Sequence, residues 1–94
     1  MAKKDTAKYR FFERVVKGFA NHRRIQIMHL LHEKPELSVE EISQALDVNF
    51  KTISEHTRRL ALSGIVLKRY EGNNVRHKLT KVGESILKFL RILE

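Results

Sequence analysis

The sequence has no cysteine and no tryptophan, and it has one proline and four glycines in 94 residues. The lack of cysteine excludes disulfides and thiolate metal sites. The four glycines are scattered, so no glycine-rich loop is available to hold a nucleotide phosphate. No apolar run approaches the ~18 residues that a membrane span needs, and the basic start of the chain has no apolar signal core. We therefore expect a soluble, cytoplasmic protein.

Catalytic patterns are missing as well. No nucleophile with a positioned base and no carboxylate pair in an identifiable cleft is found, so we expect neither an enzyme nor a cofactor. His29 and His32 lie three residues apart with glutamates nearby, which is a ligand spacing found in metal-binding sites. No third ligand follows at a recognisable spacing, and we predict no metal site. His56 and His77 are expected to pack or hydrogen-bond within the domain.

Charge is the strongest compositional signal. Nineteen basic against eleven acidic side chains give a net charge of +8, which favours a polyanionic partner. The charge is uneven: residues 1–24 carry +6, residues 25–50 carry −4, residues 51–81 carry +6 and the remainder is balanced. We call residues 25–50 the acidic segment. The length predicts a single domain over 1–94.

Apolar spacing and capping residues predict four helices in the first two thirds of the chain. The first covers 6–19, and the second begins after a cap at Asn21 and is stopped by Pro35. Ser38 opens a short third helix with the form of a capping box, and Asn49 caps a fourth over about 50–63.

A hairpin and a last helix follow. Residues 65–70 and 75–79 are predicted to be strands, and the turn signal Glu71-Gly-Asn-Asn74 lies between them. Thr80 can cap a fifth helix over 81–93. This order predicts a mostly α (α+β) fold, a winged helix-turn-helix of about five helices with a two-stranded wing, 65–79, between helices 4 and 5.

The motif favours binding of double-stranded DNA. The major groove, ~12 Å wide, admits one helix, and we expect the fourth helix to enter it while the wing contacts phosphates. The predicted DNA-binding residues are Ser38, Phe50, Lys51, Thr52, Ser54, Glu55, Arg58, Arg69, Asn73, Asn74, Arg76 and Lys78.

Some of these assignments have alternatives. Glu55 either accepts a hydrogen bond from a cytosine amino group or lies on an ordinary solvated face. Phe50 either touches a thymine methyl group or packs as a staple at the helix start. Ser38 either donates to a phosphate or only caps its helix. Arg24 and Arg59 either contact DNA or pair with the acidic segment.

The terminal helices, 6–19 and 81–93, have apolar stripes wider than one small core requires. They predict a homodimer, whose operator would be an inverted repeat. The predicted interface consists of Tyr9, Phe12, Val16, Ile86, Phe89, Leu90 and Leu93.

Four stretches between about Phe19 and Leu79 carry a family resemblance: Asn21-His-Arg-Arg-Ile-Gln-Ile-Met28, Glu36-Leu-Ser-Val-Glu-Glu-Ile42, Ile53-Ser-Glu-His-Thr-Arg-Arg-Leu60 and Ser63-Gly-Ile-Val66. In these stretches the sequence resembles the ArsR-type winged-helix transcriptional repressors. The resemblance implies a dimeric repressor that binds imperfect inverted repeats in promoters and releases them when an effector binds.

The chain departs from the metal-sensing members, because Ser38 and Glu40 stand where they carry cysteines. The stretch Leu79-Thr-Lys-Val-Gly83 is similar to MarR-like repressors. A protein-interaction module and an architectural nucleic-acid binder stay open as alternatives, and no effector is indicated.

Overall fold

The computed structural model describes residues 5–94. Five helices and one hairpin follow one another in the predicted order. None of the helices in this part of the chain combines the length and the apolar character needed to cross a bilayer. The elements are α1 (Thr6–Phe19), α2 (His22–Glu33), α3 (Val39–Leu46), α4 (Phe50–Leu62), β1 (Val66–Glu71), β2 (Asn74–Leu79) and α5 (Lys81–Ile92).

Side-chain caps start four of the five helices, each at the residue that the sequence predicts. The Asn21 side chain accepts from two backbone N–H groups of α2, and Asn49 does the same for α4. Ser38 and the third residue of α3, Glu41, form the full capping box. The Thr80 hydroxyl accepts from the backbone N–H of Gly83 at the start of α5. These bonds satisfy N–H groups that a helix start leaves unpaired.

The core lies between α2, α3, α4, the hairpin and α5. The sequence supplies it from apolar stripes with helical spacing, and its residues are 0–5% exposed. Its members are Ile27, Met28, Leu31, Ile42, Ile53, Leu60, Ile65, Val66, Leu79 and Leu87. Thr57 is also buried and donates to the Ser54 carbonyl oxygen, which satisfies its hydroxyl inside the apolar layer.

The wing is antiparallel and is closed by a two-residue turn. Gly72, with φ of +60°, takes the first turn position, where a type II′ turn requires a positive φ. The predicted hairpin is confirmed, although β1 starts at Val66 and extends to Glu71. Ile65 precedes it in the core.

A third segment joins the hairpin to the helices. Leu37 forms an isolated antiparallel bridge with His77: the His77 N–H donates to the Leu37 carbonyl oxygen at 2.9 Å, and the Glu36 N–H donates to the His77 carbonyl oxygen at 2.9 Å. The His77 ring adds a bond from Nδ1 to the same Leu37 oxygen at 2.9 Å. The turn between α2 and α3 is therefore fixed to the middle of β2.

Helix α1 reaches α4 at a point of very close approach. Gly18 is buried, and a Cβ atom there would lie 2.1 Å from the Ser63 hydroxyl oxygen. Only glycine lets the two backbones come this close. The helix predicted to form part of a dimer interface is thus seated on the end of the helix predicted to bind DNA.

Candidate nucleic-acid interface

Helix α4 has one buried face and one polar face. Ile53, Thr57 and Leu60 are buried, whereas Lys51, Thr52, Ser54, Glu55 and Arg58 are exposed. The spacing between Lys51, Ser54, Glu55 and Arg58 places them on one side of the helix. The core contacts fix the helix, so this polar side points to solvent.

Phe50 opens α4 and is 54% exposed. It is not part of the hydrophobic core or of the apolar layer packed against it. This exposure leaves its ring accessible at the helix start.

Glu55 lies at the centre of a charged cluster on α4. Its Oε2 accepts from Arg58 Nε at 3.0 Å, and its Oε1 accepts from Arg58 Nη2 at 2.7 Å and from Arg59 Nε at 3.2 Å. The hydrogen bonds from Arg58, and then those from Arg59, lower the pKa of Glu55 to about 2. Glu55 is therefore a carboxylate with both oxygens occupied.

Ser38 performs the capping function. Its hydroxyl oxygen accepts from the Glu41 N–H at 3.1 Å, and Glu41 Oε1 accepts from the Ser38 N–H at 2.9 Å. The same Oε1 lies 3.0 Å from Arg76 Nη1. The hydrogen bond from the Ser38 N–H is the main cause of the lowered pKa of Glu41. The capping box thus links α3 to the wing, while a phosphate contact by Ser38 stays a prediction.

The outer face of the wing carries most of the predicted wing residues. Arg69 and Arg76 are cross-strand partners and so lie on the same side of the hairpin. Lys78 and Asn74 share that side, because they are two residues from Arg76 along β2. The opposite side contains His77, which faces the core.

Arg69 is held by two carboxylates. Its Nε donates to Glu36 Oε1 at 2.6 Å, and its Nη1 lies 3.0 Å from Glu71 Oε2. Hydrogen bonding to Arg69 lowers the pKa of Glu36. Glu36 has a φ of +70°, in the left-handed region that non-glycine residues rarely adopt. Arg69 therefore connects the wing to the α2–α3 turn.

For two arginines the structure decides against one of the alternatives that the sequence leaves open. Arg24 and Arg59 were the candidates for ion pairs with the acidic segment, and this alternative is wrong for both. Arg59 pairs with Glu55, and Arg24 Nε donates to His56 Nδ1 at 3.2 Å while its Nη1 donates to backbone carbonyl oxygens at the end of α1. The wing arginines pair with the acidic segment instead.

The histidines separate into two groups. His29 and His32 each approach a different carboxylate, Glu33 at 3.0 Å and Glu84 at 2.9 Å. Residues 5–94 contain no group of three potential ligands that could hold a metal. His77 is buried and His56 is partly buried, as predicted, and desolvation is the main cause of the lowered pKa of each.

An apolar groove runs between α1 and α5. It measures about 760 Å³ and is lined mainly by Phe11, Phe12, Val15, Val16, Phe19, Val82, Ile86 and Phe89. Of the predicted interface residues, Tyr9, Phe12, Val16, Phe89 and Leu93 are 43–68% exposed. Phe11 and Val82 are exposed by similar amounts and were absent from the prediction, although both lie close to predicted positions in the sequence.

The model of the family described as "Bacterial regulatory protein, arsR family" matches residues 21–68, which span α2, α3, α4 and the start of β1. The chain belongs to the ArsR family. The predicted ArsR resemblance and the winged helix-turn-helix DNA-binding fold are thereby confirmed.

The chain is also similar to individual transcriptional regulators. The transcriptional activator HlyU of Vibrio cholerae serotype O1 is 36% identical over 66 residues, which are 70% of this chain and 60% of that relative's length. The homodimeric winged helix-turn-helix DNA-binding domain of a possible ArsR-family regulator from Mycobacterium bovis has a TM-score of 0.89 at 28% identity, covering 99% of this chain and 86% of that one. Reduced HlyU from Vibrio cholerae has a TM-score of 0.81 at 28% identity, covering 98% and 97%.

Proposed function

We propose that this ArsR-family protein binds double-stranded DNA in a sequence-specific manner and regulates transcription. Helix α4 enters the major groove, and the wing lies on the neighbouring backbone. The observation that carries the proposal is the division of α4 into a face anchored in the core and an exposed face bearing Lys51, Ser54 and Arg58. A helix held this way presents donors to base edges without losing its support.

The acting form in this proposal is a homodimer assembled through α1 and α5. The groove between these helices is apolar and open, and it includes three phenylalanines, Phe11, Phe12 and Phe89, that are about half exposed. A contiguous apolar surface of this kind is typical of an interface. The Mycobacterium bovis neighbour is described as homodimeric. A two-fold dimer implies an inverted-repeat operator with half-sites about one helical turn, ~10 bp, or a multiple apart.

A more detailed question is whether the protein represses or activates transcription. The sequence resemblance predicts repression, whereas the relative HlyU is described as an activator. Both outcomes follow from the same DNA-binding mode, since they depend on where the operator lies relative to the promoter. Repression stays a prediction, as do a cytoplasmic location, the single-domain organisation and the lack of catalytic activity.

Selection from a random duplex pool tests the DNA-binding mode. At ~150 mM salt, where electrostatic binding without sequence preference is weakened, we expect enrichment of an inverted repeat. Lys51→Ala is expected to relax the preference at one position of each half-site. Lys34→Ala is the matched control, because it removes the same charge from an exposed position outside the predicted DNA-binding set. Salt-sensitive binding without a motif would support an architectural role, and no binding would support a protein partner.

Light scattering tests the dimer. Phe89→Glu places a charge in the apolar groove and is expected to give a folded monomer with weakened operator binding. Lys88→Glu, one residue away on α5 and outside the residues that line the groove, is expected to stay dimeric. A Phe89→Glu protein that remains dimeric would show that the copies meet elsewhere.

A further inference from the structure

Arg58 has one edge of its guanidinium occupied and one edge free. Its Nε and Nη2 donate to the two oxygens of Glu55, at 3.0 and 2.7 Å, which is the side-on edge. The end-on edge, formed by Nη1 and the second hydrogen of Nη2, carries no hydrogen bond to any residue in the described part of the chain. The side chain is 53% exposed, so this edge is accessible to a ligand.

The free edge has the geometry that matches guanine. Two parallel N–H groups of an arginine bind O6 and N7 of guanine in the major groove, and this is the commonest base-specific contact. An unsupported arginine must lose its rotational freedom to make this contact. A carboxylate one helical turn earlier, bound to the other edge, removes part of that freedom before DNA arrives.

We infer that Glu55 is a positioning residue that holds Arg58 so that its end-on edge reads a guanine in each half-site. This inference rests on the proposed function and assigns Glu55 a different role from direct recognition of cytosine. Both Glu55 oxygens already accept from arginine N–H groups, and Arg59 takes a third bond at 3.2 Å. Their arrangement leaves the carboxylate facing Arg58 and Arg59.

Arg69 differs from Arg58 in that both edges of its guanidinium are occupied. Glu36 binds Nε and Nη2 of Arg69, and Glu71 lies 3.0 Å from its Nη1, so carboxylates occupy both of its edges. Its guanidinium must release a carboxylate before it can bind a base in bidentate fashion. Arg58 needs no such exchange.

The test measures base preference rather than affinity alone. Once the selected operator is known, dissociation constants are measured for the wild type and for R58A, E55A, E55Q and the double variant R58A/E55A on duplexes carrying each base pair at each half-site position. We expect R58A to reduce the preference for guanine at one position by about tenfold or more. E55A is expected to reduce the same preference by about threefold, with binding to random duplexes unchanged or tighter because a negative charge is removed.

The double variant and the conservative variant separate positioning from other roles. R58A/E55A is expected to match R58A, because Glu55 acts through Arg58, and E55Q is expected to lie between E55A and the wild type. Glu33→Ala is the matched control for removal of one exposed carboxylate on another helix, and it is expected to leave every base preference unchanged. Circular dichroism confirms that each variant is folded.

Three results would overturn the inference. In the first, E55A alters preference at a position that R58A leaves intact, which would mean that Glu55 reads a base itself. In the second, E55A leaves the guanine preference at the wild-type value. In the third, the double variant loses discrimination beyond R58A. A wild-type protein without any selected motif would instead refute the proposed function, so the two failures are distinguishable.

Discussion

Acid sensitivity follows from the burial of His77. The ring is 1% exposed, its Nδ1 donates to the Leu37 carbonyl oxygen, and its Nε2 is buried without a hydrogen bond to any described residue. Protonation would place a charge on Nε2 with no acceptor to receive its hydrogen. Burial therefore lowers the pKa of His77 in the folded protein. Acidification is therefore expected to lower the free energy of unfolding through protonation of His77.

The pH dependence follows from the number of protons that the folded and unfolded states bind. In the unfolded chain a histidine has a pKa of about 6.5, so near and below this pH the unfolded state binds more protons than the folded state. The free energy of unfolding then falls as the pH falls, from about pH 7 down to the lower pKa of the folded state. At pH 5.5, one unit below the unfolded pKa, His77 alone removes up to about 1.4 kcal/mol.

Urea unfolding at pH 7.5 and 5.5 measures this loss, with His77→Gln as the comparison. Glutamine does not titrate at either pH, and its size is close to that of histidine. The variant's free energy of unfolding at pH 7.5 gives the cost of the substitution itself. On acidification the variant is expected to lose less of this free energy than the wild type, and the difference is the contribution of His77 protonation. The pKa of His56 is also lowered, mainly by desolvation and then by Arg24, so His77→Gln keeps that second contribution.

An equal loss of stability in His77→Gln and the wild type would refute the argument. It would mean that His77 is protonated in the folded state without penalty, for example because its ring leaves the core. A larger loss in the variant would contradict it just as directly. Dilution of the protein in the same experiment distinguishes unfolding of the chain from dissociation of a dimer, since only the latter depends on concentration.

Three further predictions concern helix packing, capping and phosphate binding. Gly83→Ala is expected to lower the free energy of unfolding by about 1–3 kcal/mol in urea unfolding, because a Cβ there would lie 2.4 Å from the Ile65 carbonyl oxygen and overpack the core. Unchanged stability would show that the Ile65 backbone moves away freely. Asn49→Ala removes the cap of α4 and is expected to cost about 1 kcal/mol by the same measurement, and a cost near zero would mean that the helix start is capped in another way. Lys78→Ala is expected to lower the slope of log K against log salt concentration for DNA binding by ~0.9 for each phosphate that the lysine neutralises. Arg76→Ala is expected to lower this slope by less, because Arg76 pairs with a carboxylate. Equal slopes for the two variants would contradict this ranking.

Local signals in the sequence predicted the elements of this fold well. Asn21, Ser38, Asn49 and Thr80 act within three residues of the backbone that they cap, so their role can be inferred from their immediate neighbours. The order of helices and the hairpin follows from apolar periodicity and from the turn at Gly72. These features are determined by residues that are close together in the chain, so they can be predicted from local sequence patterns.

The ion pairs of the candidate site were harder to predict from the sequence. The pairing of Glu55 with Arg58 lies at helical spacing and was open to prediction. The sequence instead places Glu55 among the DNA-binding residues, because its carboxylate lies on the exposed face of the helix and can accept from a cytosine amino group. The pairing of Glu36 with Arg69 joins residues 33 positions apart and requires both the Leu37 bridge and a left-handed Glu36. No local pattern specifies these two conditions, so the partners of the wing arginines could not be derived from spacing.

The bridge between Leu37 and His77 affects the thermodynamics of binding. A two-stranded hairpin alone is marginally stable in water, and a ligand that must order it loses affinity to the entropy of ordering. Here backbone bonds, a buried ring and two ion pairs hold the wing against the α2–α3 turn and the start of α3 before any ligand is present. The wing is therefore preorganised, and association of this protein with its target should proceed with little loss of conformational entropy from residues 66–79.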